Sequence, residues 1–239
     1  ALKNVNTCVS SGKNIIRVGN TLHITFSKDG YICYAYSNDN GLTWNYETVD
    51  SPTSSEGGYF NPTITFDGNK IWVAYEYKSL TQQDIHINYA RRDGPSNWQK
   101  IHFKRGFNPI IVYIPNGQID PEGIYLGFYD FYSPQRLEPP QWSYSKVCIF
   151  RIDKDNLLSY NRENYDSVDY YFFPPVFAMG KIKENGKEKI IAIYNFPDDY
   201  SYLRYMGTQE KLSLKVNGQP VIGFSPFIGN QNLICFISS

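Results

Sequence analysis

The segment from Tyr31 to Val49 constrains the fold of this 239-residue chain more than any other. Tyr31 to Tyr36 is an aromatic-rich run with apolar side chains on both of its sides, as expected for a strand with both faces covered. Ser37 to Gly41 then supplies turn residues, because Asn and Asp side chains bond back to the backbone and Gly accepts a positive φ. Thr43 and Trp44 begin a returning strand, so the segment predicts a β-hairpin.

The spacing of residues in this hairpin resembles the Asp box, S-x-D-x-G-x-T-W, of the sialidase and BNR-repeat β-propellers. The matching residues are Ser37, Asp39, Gly41, Thr43 and Trp44. The resemblance implies that the Ser and Asp side chains bind amides of the turn and that the Trp packs beneath it. The motif therefore indicates a propeller blade and carries no chemistry of its own.

A weaker copy of the pattern lies in the next predicted hairpin. Asp93 and Trp98 keep the spacing of the Asp and Trp in the first copy, while Arg91 and Pro95 stand at the Ser and Gly positions. We interpret this copy as a degenerate Asp box. Trp98 lies 54 residues after Trp44, near the period of about 40–50 residues that is typical of propeller blades.

A second repeat is independent of the first. Four phrases combine an aromatic residue, a small or polar residue, Pro and apolar residues, and they start at Tyr59, Gly106, Phe172 and Gly223. Each phrase precedes a turn and an apolar strand, and proline is tolerated at the first residue of a strand. We therefore predict a strand start at each phrase. A similar pair without Pro, near residues 14–26, makes five such starts.

Four strands per blade give an all-β, five-bladed β-propeller of antiparallel blades, forming one domain over residues 1–239. The predicted blades span about residues 14–50, 60–104, 107–165 and 173–217, with a partial blade from 220. An N-terminal strand, about residues 3–10, is expected to complete the last blade beside residues 233–236, which removes an exposed edge. The alternatives are a six-bladed propeller, a fragment of a larger propeller, or a pair of β-sandwiches.

The cysteines and histidines bear on cross-links and metals. The predicted closure brings Cys8 and Cys235 onto neighbouring strands, where they either form a disulfide or remain two buried thiols that never meet. Cys33 and Cys148 are expected to be free core residues on third strands. The histidines are assigned to strand positions in different blades, and there is no CxxC pair, so we expect no metal site and no cofactor.

The composition excludes two classes of partner. Lys plus Arg and Asp plus Glu both number 23, so we expect no basic surface for nucleic acid. No apolar run approaches the roughly 20 residues that a membrane-spanning helix needs, so we expect no membrane span.

One predicted face carries the long loops, and there we place the ligand site. Its longest loop, residues 130–144, contains three prolines and four aromatic residues among polar ones. Sugar rings stack on aromatic rings while their hydroxyls pair with polar side chains, although such a loop can also simply cover the channel. The candidate ligand-binding residues are Arg105, Tyr132, Arg136, Glu138, Trp142 and Tyr144.

Catalytic residues are harder to find. A sialidase-like site implies three arginines, a Tyr–Glu pair and an Asp, and Arg17 is the one weak counterpart to the first arginine. A glycosidase needs two carboxylates about 5–10 Å apart, yet the predicted inner strands begin without one. The remaining acids at strand ends and in loops are expected to be solvated: Glu76, Asp84, Asp130, Glu138, Asp198 and Asp199.

The sequence therefore favours a non-catalytic propeller that binds a carbohydrate or protein, as a lectin, an adhesin or a surface assembly module does. A sialidase-like glycoside hydrolase is the alternative. A component of a larger assembly is a third possibility. We expect an extracellular or surface-associated location.

Overall fold

The computed structural model describes residues 5–6, 13–52, 57–79, 85–131, 145–168, 177–195, 201–205, 211–212, 215–216 and 219–220. Regular structure in these ranges is β-strand, and every paired strand runs antiparallel to its neighbour. All-β architecture is thus confirmed for the described residues.

The first sheet contains the hairpin that opened the sequence analysis. Its strands are β1 (Val5–Asn6), β2 (Ile15–Val18), β3 (Thr21–Lys28), β4 (Tyr31–Ser37) and β5 (Asn45–Asp50). The order is β1–β3–β4–β5, with β2 also paired to β3. β1 lies against Ser27 and Lys28, whereas β2 lies against residues 21–24 of the same strand.

Three further sheets repeat the same four-stranded meander. The second contains β6 (Gly57–Phe66), β7 (Ile71–Ser79), β8 (Ile85–Gly94) and β9 (Asn97–Arg105). The third contains β10 (Phe107–Ile114), β11 (Gly123–Phe131), β12 (Ser145–Ile152) and β13 (Tyr160–Val168). The fourth contains β14 (Phe177–Glu184), β15 (Lys187–Asn195), β16 (Ser201–Tyr205) and β17 (Lys211–Leu212), and the hairpin β18 (Lys215–Val216) and β19 (Gln219–Pro220) follows.

The sheets are arranged as propeller blades. The second, third and fourth sheets pair their strands in chain order, and in the first sheet β2 to β5 do the same. Neighbouring sheets touch near the start of each meander: β6 contacts β2, β3 and β10, and β10 contacts β14. The chain is therefore a β-propeller of four-stranded antiparallel blades, here called blades 1 to 4. Their limits agree with the predicted blades to within a few residues, apart from the end of blade 4, where β17 ends at Leu212.

The core lies between successive blades. Tyr34 and Val49 of blade 1 pack with Val73 and Tyr75 of blade 2. Successive residues of β7 face opposite sides, so Trp72 and Ala74 instead pack against blade 3. A third cluster joins Tyr125 and Ile149 of blade 3 to Met179 and Ile190 of blade 4. Strands buried on both faces explain the long apolar runs of the sequence.

The Asn-Pro phrases correct one prediction. Pro62 and Pro109 do not start their strands; they lie inside β6 and β10, where the pairing register shifts. The preceding Asn61 and Asn108 have φ of 50° and 54°. Asn tolerates this left-handed conformation, and a bulge tolerates proline, so the phrase encodes a β-bulge in the innermost strand.

The predicted chain closure stays a prediction. Residues 233–236 and both Cys8 and Cys235 lie outside the described residues, so neither the pairing nor the disulfide is tested. Cys33 and Cys148 are free thiols on the third strands of blades 1 and 3, as predicted. Cys148 is buried, whereas Cys33 is only half-buried.

Candidate ligand-binding face

The turn between β4 and β5 is held by its own side chains. Ser37 Oγ accepts hydrogen bonds from the amides of Gly41 (2.7 Å) and Asp39 (3.4 Å). Asp39 accepts from the hydroxyl and the amide of Thr43, at 2.5 and 2.8 Å. These bonds, with a further one from Ser37, lower the pKa of Asp39 to about 2. Trp44 Nε1 donates to the Gly41 carbonyl at 3.0 Å. Every polar group of the motif is thus used to build the turn.

The second copy keeps the spacing but bonds differently. Asp93 pairs with Lys70 (2.5 Å) and Arg91 (2.8 Å), which lie on its own blade. Trp98 Nε1 donates to Glu47 Oε2 of blade 1 at 3.0 Å. The residues matched by the degenerate pattern therefore form ion pairs and a contact between blades.

Glu47 is the centre of a polar network between blades 1 and 2. Arg92 donates to both of its carboxylate oxygens, at 3.0 and 2.5 Å, and the Arg92 guanidinium also lies 5.5 Å from the Tyr34 ring centre. Burial alone would raise the pKa of Glu47, but the hydrogen bonds from Arg92 and Trp98 outweigh it, and the pKa is lowered. His23 Nδ1 extends the network to the Tyr34 hydroxyl at 2.6 Å.

Antiparallel meanders divide the connections between two faces of the propeller. The loop face carries the connections β3–β4, β5–β6, β7–β8, β9–β10 and β11–β12, and the turn face carries the hairpin turns at the other strand ends. The turn between β4 and β5 lies on the turn face. So does Arg17, which donates to Asn40 Oδ1 of that turn at 3.0 Å. Arg17 is therefore not on the face where a ligand site was predicted.

The predicted ligand-binding residues are only partly described. Arg105 is the last residue of β9 and is exposed on the loop face, as expected. The others lie outside the described residues: Tyr132, Arg136, Glu138, Trp142 and Tyr144. Whether the six residues form one site therefore remains a prediction.

Asp50 is the first of two acids at the loop face that contact a neighbouring blade. It ends β5 of blade 1 and accepts from the Tyr75 hydroxyl (2.8 Å) and from Lys100 Nζ (2.9 Å) of blade 2. Ser51 N adds a third bond at 3.0 Å. Burial, and then the Asp50 charge, raise the pKa of Tyr59 to about 12. Both carboxylate oxygens are thus occupied.

Glu76 is the second acid, and here the sequence prediction was wrong. It was expected to be solvated, yet its side chain is 1% exposed. One carboxylate oxygen accepts from the Asn108 amide of blade 3 at 2.6 Å, and the other faces Lys78 Nζ at 3.2 Å as an ion pair. The overlooked signal was its place in β7, whose side chains are buried from Ile71 to Glu76.

Aromatic and basic side chains line the exposed part of the loop face. Tyr31 at the start of β4 is 42% exposed. Lys78 Nζ lies 5.5 Å from the Phe60 ring centre. His86 on β8 and His102 on β9 lie in the same blade, with ring centres 4.5 Å apart, which corrects their assignment to different blades.

The turn face holds a separate cavity of about 230 Å³ on blade 3. Charged side chains of both signs line it, including Glu122, Arg151, Asp153 and Lys154. Within the part of the chain that the structure describes, no three His, Cys, Asp or Glu side chains are grouped so that they could hold a metal ion. The described ranges also contain no helix with the length and apolar character needed to cross a membrane.

Comparisons with known proteins give distant likenesses. No protein-family model matches the chain, and no curated protein matches it. The crystal structure of polysaccharide lyase Uly1 superposes with a TM-score of 0.48 at 9% identity, over 84% of this chain and 53% of the lyase chain. A GH43 endo-arabinanase from Bacillus licheniformis gives a TM-score of 0.33 at 16% identity, over 88% of this chain and 98% of its own. This chain thus spans about half the length of the lyase, and neither likeness identifies a family.

Proposed function

We propose that this chain is a non-catalytic binding propeller that takes a carbohydrate ligand on its loop face. One observation carries the proposal. Asp50, one of two described acids that contact a neighbouring blade on this face, accepts three hydrogen bonds through its two carboxylate oxygens. Glu76, the other, accepts the Asn108 amide through one oxygen, and its second oxygen is paired with Lys78 at 3.2 Å without a hydrogen bond from the described residues. Carboxylates bound by the fold or paired with a lysine are poorly placed for proton transfer or nucleophilic attack.

The chemistry of the rim favours a carbohydrate. Tyr31 and His102 are exposed, and Arg105 and Lys78 add hydrogen-bond donors on the same face. Aromatic faces pack on the C–H faces of sugar rings, and charged donors bind hydroxyls more strongly than neutral donors do. A protein ligand would use the same Tyr and Arg side chains, which are common interface anchors.

A glycan array followed by hydrogen exchange tests the proposal. We expect retained glycans to protect backbone amides of the loop face, such as those near residues 85–88 and 103–106. Arg105→Ala should weaken binding by about tenfold, the usual cost of one charge-assisted hydrogen bond. Arg17→Ala, on the turn face, is the matched control and should bind like the wild type. Protection confined to the turn face, or no retained glycan, would overturn the proposal.

We also propose a distant relationship to the Asp-box propellers. The hydrogen bonds of Ser37, Asp39 and Trp44 within the turn support it. A sequence profile built from close homologues of this chain is the test. It should recover the same spacing in other blades, and random occurrence of the spacing would contradict the relationship.

A glycoside hydrolase remains the alternative because of Glu76. It is a buried carboxylate at the loop face, one strand away from the innermost strand β6. If it is catalytic, Glu76→Gln should abolish release of reducing sugar without lowering the thermal midpoint by more than a few degrees. Glu122→Gln, on the turn face, is the control. The alternative fails if the wild type releases no sugar from a broad polysaccharide panel.

A separate proposal is that this chain is a component of a larger assembly. Mass photometry of the full chain distinguishes an assembly component from a monomeric ligand-binding module. A single monomer peak favours a ligand-binding module, and a stable oligomer favours an assembly component.

A further inference from the structure

Three aromatic rings surround a lysine between the outer strands of blades 2 and 3. Lys104 Nζ on β9 lies 5.4 Å from the ring centre of Phe103 and 5.4 Å from that of Phe150 on β12. The ring centre of Tyr160 on β13 is 5.6 Å from the same nitrogen. The ring planes meet at 88°, 87° and 76°. The three rings thus form three walls around one cation, and we call them the aromatic cage.

A β-bulge turns both the lysine and the first ring toward blade 3. The register of β8 and β9 shifts between Ile87 and Asn88, so that Phe103 is the extra residue of β9. Lys104 pairs with Ile87, which is buried in the core between blades 2 and 3, and paired residues point to the same side of a sheet. Phe103 packs against that same core. Two successive residues therefore face blade 3, which a regular strand does not allow.

The cage holds the lysine through its aromatic faces. Among the described residues no acid forms an ion pair with Lys104, and its ammonium contacts the three rings. Phe150 is 5% exposed, Phe103 and Lys104 are half-buried, and Tyr160 is 43% exposed. Phe150 thus forms the floor of the cage, and solvent reaches the cage on the Tyr160 side.

The size of the cage fits a larger cation than a lysine ammonium. Carbon atoms pack best at about 3.5–4.0 Å, and an N-methyl carbon lies about 1.5 Å from its nitrogen. A trimethylammonium nitrogen therefore lies about 5.0–5.5 Å from each ring that its methyl groups contact, close to the distances of Lys104 Nζ. A lysine ammonium is compact and strongly hydrated, so it gains less from such a cage.

We propose that the aromatic cage is a binding site for a quaternary ammonium group of the trimethylammonium type, and that Lys104 competes with this ligand for the cage. Aromatic cages commonly recognise such cations. The ligand displaces the Lys104 ammonium into solvent, so the lysine lowers the apparent affinity without blocking the site. The inference is independent of the proposed carbohydrate function, because the cage uses none of the residues assigned to carbohydrate binding.

The test titrates the full-length protein with choline and with its uncharged isostere, in which a tert-butyl group replaces the trimethylammonium. Ligand NMR signals report binding, at an ionic strength high enough to screen distant charges. We expect choline to bind at least about tenfold more tightly than the isostere. Lys104→Ala should tighten choline binding by about tenfold, because the competing ammonium is removed. Phosphatidylcholine vesicles present the same group on a lipid, and vesicle binding that choline displaces would show that the cage also accepts a headgroup.

Further variants test whether the ring faces bind the ligand. Tyr160→Ala should weaken choline binding by about fivefold or more, whereas Tyr160→Phe keeps the ring and should bind as the wild type does. Lys100→Ala is the matched control for Lys104→Ala, since it removes a positive charge from β9 at an ion pair with Asp50, and it should leave choline binding unchanged. Equal affinity for choline and its isostere, or no tightening in Lys104→Ala, overturns the proposal. Melting curves without ligand establish that each variant is folded.

Discussion

The pair Glu47 and Arg92 should be the strongest polar link between blades 1 and 2. Their side chains are 6% and 21% exposed, and Arg92 donates to both carboxylate oxygens. Removing one member of a buried pair costs about 3–5 kcal/mol, and discounting for the exposed part of Arg92 gives about 2–3 kcal/mol for Glu47→Ala. For a chain of this length that corresponds to a thermal midpoint lowered by about 4–12 °C.

A double-mutant cycle isolates the interaction itself. Glu47→Ala, Arg92→Ala and the double variant are unfolded in urea and followed by circular dichroism and tryptophan fluorescence, which must give coincident transitions. We expect a coupling energy of about 1.5–2.5 kcal/mol, because the residues are in direct contact. The pair Lys181 and Glu188, at 2.7 Å and with its lysine 40% exposed, is the control and should couple by less than about 1 kcal/mol. A Glu47–Arg92 coupling as weak as the control refutes the reasoning.

The same pair predicts a dependence on pH. The pKa of Glu47 is lowered in the folded protein, so its stabilising contribution is complete above the unfolded carboxyl pKa of about 4.3. The contribution is lost as the pH falls from there through the lower folded pKa. Glu47→Gln cannot titrate and should lose less stability than the wild type across that range. Parallel stability curves for the two proteins would contradict this assignment.

Three further predictions concern single positions. Asp39→Asn removes the charge that binds the Thr43 amide and hydroxyl, so it should lower the thermal midpoint and speed hydrogen exchange at that amide; unchanged exchange contradicts it. Burial, and then the charge of Arg92, lower the pKa of His23, so stability should fall as the pH drops below about 6.5, and His23→Gln should flatten that slope. Gly106→Ala places a Cβ 2.5 Å from Phe128 Cδ2 and should cost about 1–3 kcal/mol, whereas Gly180→Ala meets nothing within 4 Å and should be neutral in urea unfolding.

The blade architecture could be predicted because it depends on short-range patterns of apolar and turn residues in the sequence. The run from Ile71 to Tyr75 is apolar at every position, and the structure buries its alternate side chains against blade 1 and blade 3. Polar turn residues between such runs set the blade limits. Both signals act within about ten residues, which is the range where sequence patterns are most informative.

The Asn-Pro phrases show a feature that short-range sequence patterns could not predict. Proline lacks an N–H, which fits a strand start and a bulge equally well. Only the pairing partner decides: β6 pairs with β7 on both sides of Asn61 and Pro62, so the phrase lies within the strand. The Asn before the proline was the available signal, since it tolerates the left-handed backbone that a bulge requires.

The roles of the buried acids at the blade junctions could not be predicted for the same reason. A backbone amide buried at a blade junction is costly unless it finds an acceptor. At the junction of blades 2 and 3 the acceptor is Glu76, which binds the Asn108 amide of the bulge, and at the next junction Asp120 binds the Ile190 amide at 2.5 Å. The two residues of each pair are far apart in sequence, so local patterns cannot distinguish such an acid from a solvated one. At these junctions acids hold the blades together, and in the function proposed above it is the basic and aromatic side chains of the loop face that bind the ligand.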